Sequence, residues 1–284
     1  MSMPCLHTIK MCNNEFMAKV ILITGVSSGI GRAFVERAGT DFPEDTIIGV
    51  SRSQILYPVA NNVRLVQFDI AKYAELATFI ENVIQVHGSI DVLINNAGNG
   101  IRGTVDSMTK SEITKQMEIN VWSTVEMMRA VIPYMKKAGG GKVINVSSLA
   151  AYIDYPTIGY YGATKAFIDK ISRVSAAELA PWNIKISIFV PGGVKSRFGR
   201  NMTDSATYGS DENREIRTLW EGRFAKLFKN ASSVDDAALG LKRLIGSHKT
   251  MGFITFRDKF SYIINGFVGP RLFYRWLMKW HMRD

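Results

Sequence analysis

The chain has 284 residues, 46% hydrophobic and 21% charged, which is enough apolar material for a substantial core and the composition of a globular rather than a disordered chain. Its formal net charge is +10, and from Lys242 to Asp284 nine Lys and Arg stand against two Asp, so most of the excess sits at the C-terminal end. No zinc-finger spacing or RNA-binding aromatic motif accompanies that charge, which argues against nucleic acid, and no run of about 18 apolar residues occurs, so no membrane-spanning helix is expected.

Residues 1–17 hold both cysteines, Cys5 and Cys12, ahead of the first strand signal. They lack the continuous apolar core of a signal peptide, and Met17-Ala18-Lys19 leads straight into the first strand. The segment reads as a flexible extension or as the product of an upstream start codon. Two cysteines outside the body of the chain cannot staple it, a pattern that suits a reducing, cytoplasmic setting.

From there, short apolar runs alternate with helical patterns. Val20–Thr24, Thr46–Val50, Val63–Phe68, Val92–Asn95, Lys142–Ser147, Lys185–Val190 and Gly252–Phe256 read as strands buried on both faces. Ile30–Ala38, Ala71–His87, Lys110–Lys137 and Tyr160–Ala180 read as helices, with Pro133 expected to kink or end the third. This alternation predicts an α/β fold: a doubly wound parallel sheet of seven strands with helices on both faces, in one domain over residues 18–256. Within it, Phe198–Asn230 carries Gly199, Asn201, Asp204, Ser205, Gly209 and Asp211 before an amphipathic stretch around Ile216–Phe228. A connection of that length in a compact domain reads as a substrate loop or lid.

Residues 257–284 form a basic, aromatic-rich tail. Arg271, Arg275, Lys279 and Arg283 recur every four residues beside an apolar face of Leu272, Phe273, Trp276, Leu277 and Trp280. Such a helix either docks on the protein or a symmetry mate, or lies on an anionic membrane surface. Docking is the preferred reading, because two tryptophans need only one neighbouring apolar surface.

Two stretches carry chemistry. Thr24-Gly25-Val26-Ser27-Ser28-Gly29-Ile30-Gly31 follows a strand and opens a helix, the context in which glycines let a backbone approach a pyrophosphate held by helix N–H groups. An isolated match would be a plain glycine turn; the flanking elements favour dinucleotide binding. Further on, Tyr152, Tyr155, Tyr160 and Tyr161 crowd into ten residues ahead of Lys165. Reducing a carbonyl leaves an alkoxide that needs a proton, and an unassisted phenol titrates near ~10. A neighbouring ammonium is expected to lower that value. On a helix Tyr161 shares a face with Lys165, four residues on, whereas Tyr160 does not; Tyr161 is therefore the candidate acid.

The spacing Gly-x-x-x-Gly-x-Gly, together with Asn95-Asn96-Ala97-Gly98 at the end of the fourth strand, resembles the short-chain dehydrogenase/reductase family, and the resemblance spans residues 18 to about 200. It implies a Rossmann fold and a bound nicotinamide dinucleotide. The family's catalytic positions correspond to Asn120, Ser148, Tyr161 and Lys165: Ser148 holding the carbonyl, Tyr161 protonating it, Lys165 holding the ribose, Asn120 orienting a water that relays protons to Lys165. Ser147 is the near rival of Ser148 and reads as a capping or turn residue. Cofactor contacts are expected from Gly25, Ser27, Ser28, Gly29, Ile30, Gly31, Ser51, Arg52, Asp69, Ile70, Asn96, Ala97, Gly98, Tyr161 and Lys165, and from Pro191, Gly192, Val194 and Ser196 at the nicotinamide. An exposed helix N-cap before Ala71 is the plain alternative for Asp69.

Ser51 stands where NAD-preferring relatives carry an acid, and Arg52 follows it, so NADP(H) is favoured over NAD(H); Ser28, where many NADP-preferring relatives place Lys or Arg, departs from that pattern. Tyr152, Tyr155 and Gly193 are expected to line the substrate site, and no metal is required. The expected activity interconverts a ketone or aldehyde and an alcohol on an apolar, steroid-, retinoid- or lipid-like substrate, in a homodimer or homotetramer. A non-catalytic NADP(H)-binding sensor or interaction protein on the same scaffold is the alternative.

Overall fold

Five apolar residues in a row, Val20–Thr24, form the central strand β1 of a computed structural model that describes residues 18–208, 210, 213–264 and 266. All five are buried, because the sheet around them is covered on both faces. The other strands are β2 (Thr46–Ser51), β3 (Val63–Gln67), β4 (Val92–Asn95), β5 (Ile101–Arg102), β6 (Gly141–Val146), β7 (Ile184–Val190), β8 (Thr203–Asp204) and β9 (Met251–Phe253). Seven of them make one sheet in the order β3-β2-β1-β4-β6-β7-β9, every pair parallel, with β1 in register Val20↔Thr46 against β2 and Ile21↔Val92 against β4. The order reverses between β1 and β4, which opens a crevice at their C-terminal ends.

The helices are α1 (Gly29–Glu36), α2 (Ala38–Asp41), α3 (Tyr73–His87), α4 (Lys110–Met117), α5 (Ser123–Ala138), α6 (Gly159–Leu179), α7 (Phe198–Asn201), α8 (Arg214–Lys229) and α9 (Val234–Ile245). Alternate residues of each strand feed opposite layers, as the two-residue period of a strand dictates. Ile21 and Ile23 pack with Phe34 and Val35 of α1 and Leu241 and Leu244 of α9, while Val20 and Leu22 pack with Ile80 of α3 and Met127 and Val131 of α5.

Three expectations are corrected. Lys110–Lys137 is not one α-helix: a π-helical turn at Glu118–Trp122 separates α4 from α5. Of the two outcomes expected at Pro133, a kink or an end, the end is ruled out: α5 runs on to Ala138 and stops at left-handed Gly139. A proline near the last turn removes a single backbone bond, and buried Met127, Met128, Val131 and Met135 hold the helix on the sheet. Phe198–Asn230 is largely not a loop. It contains α7, the strand β8 paired with β5, and α8, and it is tied down where Arg102 Nε meets Asp204 Oδ1 at 2.7 Å and Ser107 Oγ meets Ser205 Oγ at 3.2 Å. Residues 1–17 and the basic repeat of the tail lie outside the described residues; among those described, no helix is long and apolar enough to cross a membrane.

Candidate active site

At the end of β1 the chain must turn sharply into α1. Gly25 does so at φ +76°, and a Cβ there would come 2.7 Å from the Ala97 Cα, so only glycine admits both the conformation and the approach. Gly31, one turn into α1, packs on the Gly25 carbonyl and the Asn96 amide, and a side chain would collide with both. The loop is clamped from behind. Asn96 Nδ2 donates to the carbonyls of Thr24 (2.9 Å) and Gly25 (3.1 Å), and Thr24 Oγ1 accepts from the N–H groups of Asn96 and Ala97, each at 3.1 Å. Ser28 occupies the N-cap of α1 without making a side-chain cap bond. The first-turn N–H groups therefore lack a side-chain acceptor and offer a positive end to a phosphate.

This loop forms one end of a cleft of about 910 Å³ over the C-terminal ends of the strands. Every candidate catalytic, cofactor-binding or substrate-lining residue named from the sequence lines it except Gly31, Asn120 and Tyr152. At the β2 corner, Ser51 Oγ accepts from the Ser53 N–H at 3.2 Å, and Arg52 is exposed beside it. Asp69 Oδ1 accepts from the Ala71 N–H at 3.0 Å, closing the turn ahead of α3; the helix itself begins two residues later with Lys72 at its cap, so Asp69 is not its N-cap. At the opposite end Ser196 Oγ accepts from the Phe198 N–H at 3.2 Å, and the turn from Pro191 is fastened by Leu149 N–H to Pro191 O at 3.0 Å and Ser232 N–H to Gly193 O at 2.9 Å.

Between the two ends, α6 presents Tyr161 and Lys165 on its buried face. Burial pushes the Tyr161 phenol up to about 12, and the neighbouring Ser148 hydroxyl, which favours the ionised form, offsets this only in part. Burial pulls the Lys165 amine down to about 8, and its Nζ donates to Val146 O at 2.9 Å, 5.9 Å from the centre of the Tyr161 ring. The expectation that this ammonium lowers the phenol is therefore corrected: in the protein alone desolvation governs both groups, and they move in opposite directions.

Ser148, not Ser147, is the capping residue, with Oγ accepting from the Ala150 N–H at 3.1 Å. Ser147 is buried, its Oγ turned to Lys165 O at 3.5 Å. Asn120 sits in the π-helical turn, a device that reorients side chains at functional sites. Its Oδ1 accepts from the Asn99 N–H (2.8 Å), and its Nδ2 donates to Asn99 O (2.9 Å) and Thr164 Oγ1 (3.1 Å). Both amide atoms are thus committed to protein partners, and the side chain is a clamp holding the Gly98–Asn99 turn to α6. Tyr152 does not line the cleft. It turns to the buried Asp169 of α6, to which its hydroxyl donates, and packs edge-on against Tyr262. Tyr155 does line it, with its ring 5.9 Å from Phe224.

Several cleft residues carry no motif. Asn99 lines it with a buried Oδ1 that has no hydrogen-bond partner among the described residues. Leu149, Phe198, Met202 and Phe224 supply apolar wall, and Arg257, Asp258 and Ser261 enter from beyond residue 256, where the sequence reading ended the domain. The amphipathic pattern before Phe228 was the available signal for Phe224; none marked Asp258.

A sequence model of the short chain dehydrogenases matches residues 19–207. Among known proteins, the chain is 35% identical over 196 residues to a 3-ketodihydrosphingosine reductase of Bacteroides thetaiotaomicron, covering 68% of this chain and 71% of the relative. It is 31% identical over 212 residues to human dehydrogenase/reductase SDR family member 4, covering 72% and 76%. A short-chain dehydrogenase crystal structure from Streptomyces avermitilis superposes with a TM-score of 0.77 at 26% identity, over 94% of this chain and 98% of that one. The chain belongs to the short-chain dehydrogenase/reductase family and is an oxidoreductase acting on a small molecule. Membership implies a nicotinamide dinucleotide, and the residues present fit one: the glycine cradle that a Cβ would fill, the helix N-terminus without a side-chain cap, and the orphaned Asn99 oxygen all face or border the same cleft.

Proposed function

We propose that this protein is an NADP(H)-dependent reductase that interconverts a ketone or aldehyde and an alcohol on an apolar, lipid-like substrate. The observation that carries the reading is that Ser148, Tyr161 and Lys165 line one cleft together with the glycine loop and the apolar side chains of Leu149, Phe198, Met202 and Phe224. When bound, the dinucleotide supplies hydride. The loop from Gly25 to Gly29 would hold its pyrophosphate, Asp69 and Ile70 its adenine, Lys165 its ribose, and Pro191 to Val194 its nicotinamide. Ser148 donates a hydrogen bond to the substrate oxygen and Tyr161 delivers the proton, which is general acid catalysis with stabilisation of developing oxyanion charge. Burial keeps Tyr161 protonated well above neutrality, the form that carbonyl reduction requires. Asn120 is a positioning residue, fixing the turn that borders Lys165.

Three features support the finer choices. Ser51 puts no carboxylate beside the ribose, and Arg52 adds a guanidinium to the same corner, which favours NADP(H) over NAD(H). Apolar side chains dominate the substrate end. The similarity to a reductase of 3-ketodihydrosphingosine points to a long-chain ketone ahead of a steroid or retinoid. Purified protein should oxidise NADPH faster than NADH with a long-chain ketone from a panel that also holds steroid and retinoid carbonyls. NADPH binding without turnover of any panel member would overturn the reading.

A further inference from the structure

The substrate end is walled by Leu149, Tyr155, Ile158, Phe198, Met202 and Phe224, and beside them stands a buried carboxylate that the chemistry above does not use. Asp258 lies in the helical residues 256–264 that follow β9, lines the cleft and is 4% exposed. Its Oδ2 closes a capping turn, accepting from the Thr255 N–H at 3.2 Å while Thr255 Oγ1 accepts from the Asp258 N–H at 3.1 Å. Oδ1 has no hydrogen-bond or ion-pair partner among the described residues. It lies against Gly192, where any side chain would collide with it.

None of the cations that line the cleft forms an ion pair with Asp258 among the described residues, and Lys195 and Arg257 are exposed to solvent. Arg257 Nη2 donates to Asn230 O at 2.7 Å, and Arg102 is held by Asp204 at 2.7 Å. Glu221 also lines the cleft, but it is exposed. Asp258 is close to the reacting end: Gly192 follows Pro191, whose carbonyl accepts from the Leu149 N–H at 3.0 Å, and Leu149 follows Ser148. A carboxylate buried among apolar groups without a counter-charge is costly unless a ligand supplies one.

We propose that Asp258 is the specificity-determining anion of this cleft, receiving an ammonium group of the substrate, so that the substrates are long-chain amino ketones and amino alcohols rather than neutral lipids. The proposal rests on the carbonyl-reduction reading of the same site. An apolar wall takes the chain, Ser148 and Tyr161 take the oxygen, and Asp258 takes the amine.

The test compares two ketones of equal chain length, one with a free primary amine and one with that amine N-acetylated, in wild type and in Asp258→Asn, which keeps the volume and an acceptor for the capping turn. A hydrogen bond to a charged group predicts a kcat/KM ratio of about tenfold in favour of the free amine, expressed in KM, and its collapse toward one in the variant. A ratio near one in wild type, or a tenfold ratio that survives Asp258→Asn, overturns the proposal. Should the Asn variant fail to fold, Asp258→Ser serves in its place, since serine can also accept at the cap. If wild type turns over neither ketone, the reduction reading fails separately, and equilibrium dialysis of dodecylamine against dodecanol decides: tighter amine binding, lost in the variant, upholds the anion site, and equal binding overturns it.

Discussion

The two ends of the cleft are built on different principles. The dinucleotide end is made of backbone: a glycine turn, helix N–H groups and the Thr24–Asn96 clamp, all from residues 24–98 and all attached to the central strands. The substrate end is made of side chains brought from Leu149, Tyr155, Phe198, Phe224 and Asp258, on segments that hang beyond the sheet. Backbone recognition demands fixed residue types at fixed spacing, whereas an apolar wall accepts many side chains of suitable volume. The family match, which ends at residue 207, covers the first end entirely and stops short of α8. The match also reaches Leu149, Tyr155 and Phe198 of the second end, so of the substrate-end side chains only Phe224 and Asp258 lie outside it.

Tyr161 stands at the seam, and its removal should give the largest effect. Tyr161→Phe deletes the proton donor and leaves the ring on Phe198, whose centroid lies 5.6 Å away. We expect kcat to fall on the order of 10²–10⁴-fold, with NADPH affinity by fluorescence titration retained. Loss of both together would mean that the two ends are not separable.

The buried amines give a pH signature of comparable size. Burial pulls Lys165 down to about 8 from 10.5 and does the same to Lys142, whose amine caps the end of α9 by donating to the carbonyls of Leu244, Ile245 and Ser247. Between pH about 8 and about 10.5 the unfolded chain still holds protons that the folded chain has released, so stability rises with pH across that window. The full excursion at Lys165 amounts to roughly 3 kcal/mol. Tyr161 works the other way: pushed up from 10.0 to about 12, it keeps its proton in the folded state while the unfolded chain loses it, so stability falls between those values. Urea midpoints should rise above pH 8 and turn over above pH 10. Lys165→Met should flatten the rise, and an unchanged slope would mean that this amine is not the group titrating.

A matched pair of substitutions tests the division itself. Gly31→Ala forces a methyl onto the Gly25 carbonyl and the Asn96 amide, and should destabilise the fold by about 1–3 kcal/mol while weakening the dinucleotide. Phe224→Ala removes one wall of the substrate end. It should raise KM for a long-chain ketone by about tenfold, through lost apolar contact, and leave dinucleotide affinity alone. Titrations with both ligands on both variants check the crossed pattern; a Phe224→Ala protein that loses NADPH would merge the two ends into one.

The same division explains what the sequence allowed to be read. The seven sheet strands were legible because runs such as Val20–Thr24 are apolar without interruption, and the glycine loop because backbone contacts fix its spacing. The π-helical turn at Asn120 was not, since an inserted residue in a helix leaves the 3.6-residue pattern nearly intact. The order of Ser147 and Ser148 depended on which hydroxyl faces the strand end, and Tyr152 was drawn away by Asp169, seventeen residues on and recognisable only once α6 is in place. Asp258 lay past an apparent domain end, where the polar spacing of a capping turn gives no hint that the second oxygen meets the cleft.

The smallest effect belongs to the outermost part of the dinucleotide end. Arg52 is exposed, and its side chain is the nearest motif-assigned cation to the corner closed by Ser51. An exposed guanidinium facing a 2′-phosphate acts through water and is screened by salt, so it contributes less than the buried groups above. Arg52→Ala should raise KM for NADPH about threefold to tenfold at low salt, a range set by charge-assisted hydrogen bonding. KM for NADH, which has no phosphate there, should stay put. The NADPH effect should also shrink as ionic strength rises, because the Debye length falls from about 10 Å at 0.1 M to about 3 Å at 1 M. Equal losses for the two cofactors would place Arg52 outside phosphate recognition and return the choice between NADP(H) and NAD(H) to the backbone of the β2 corner.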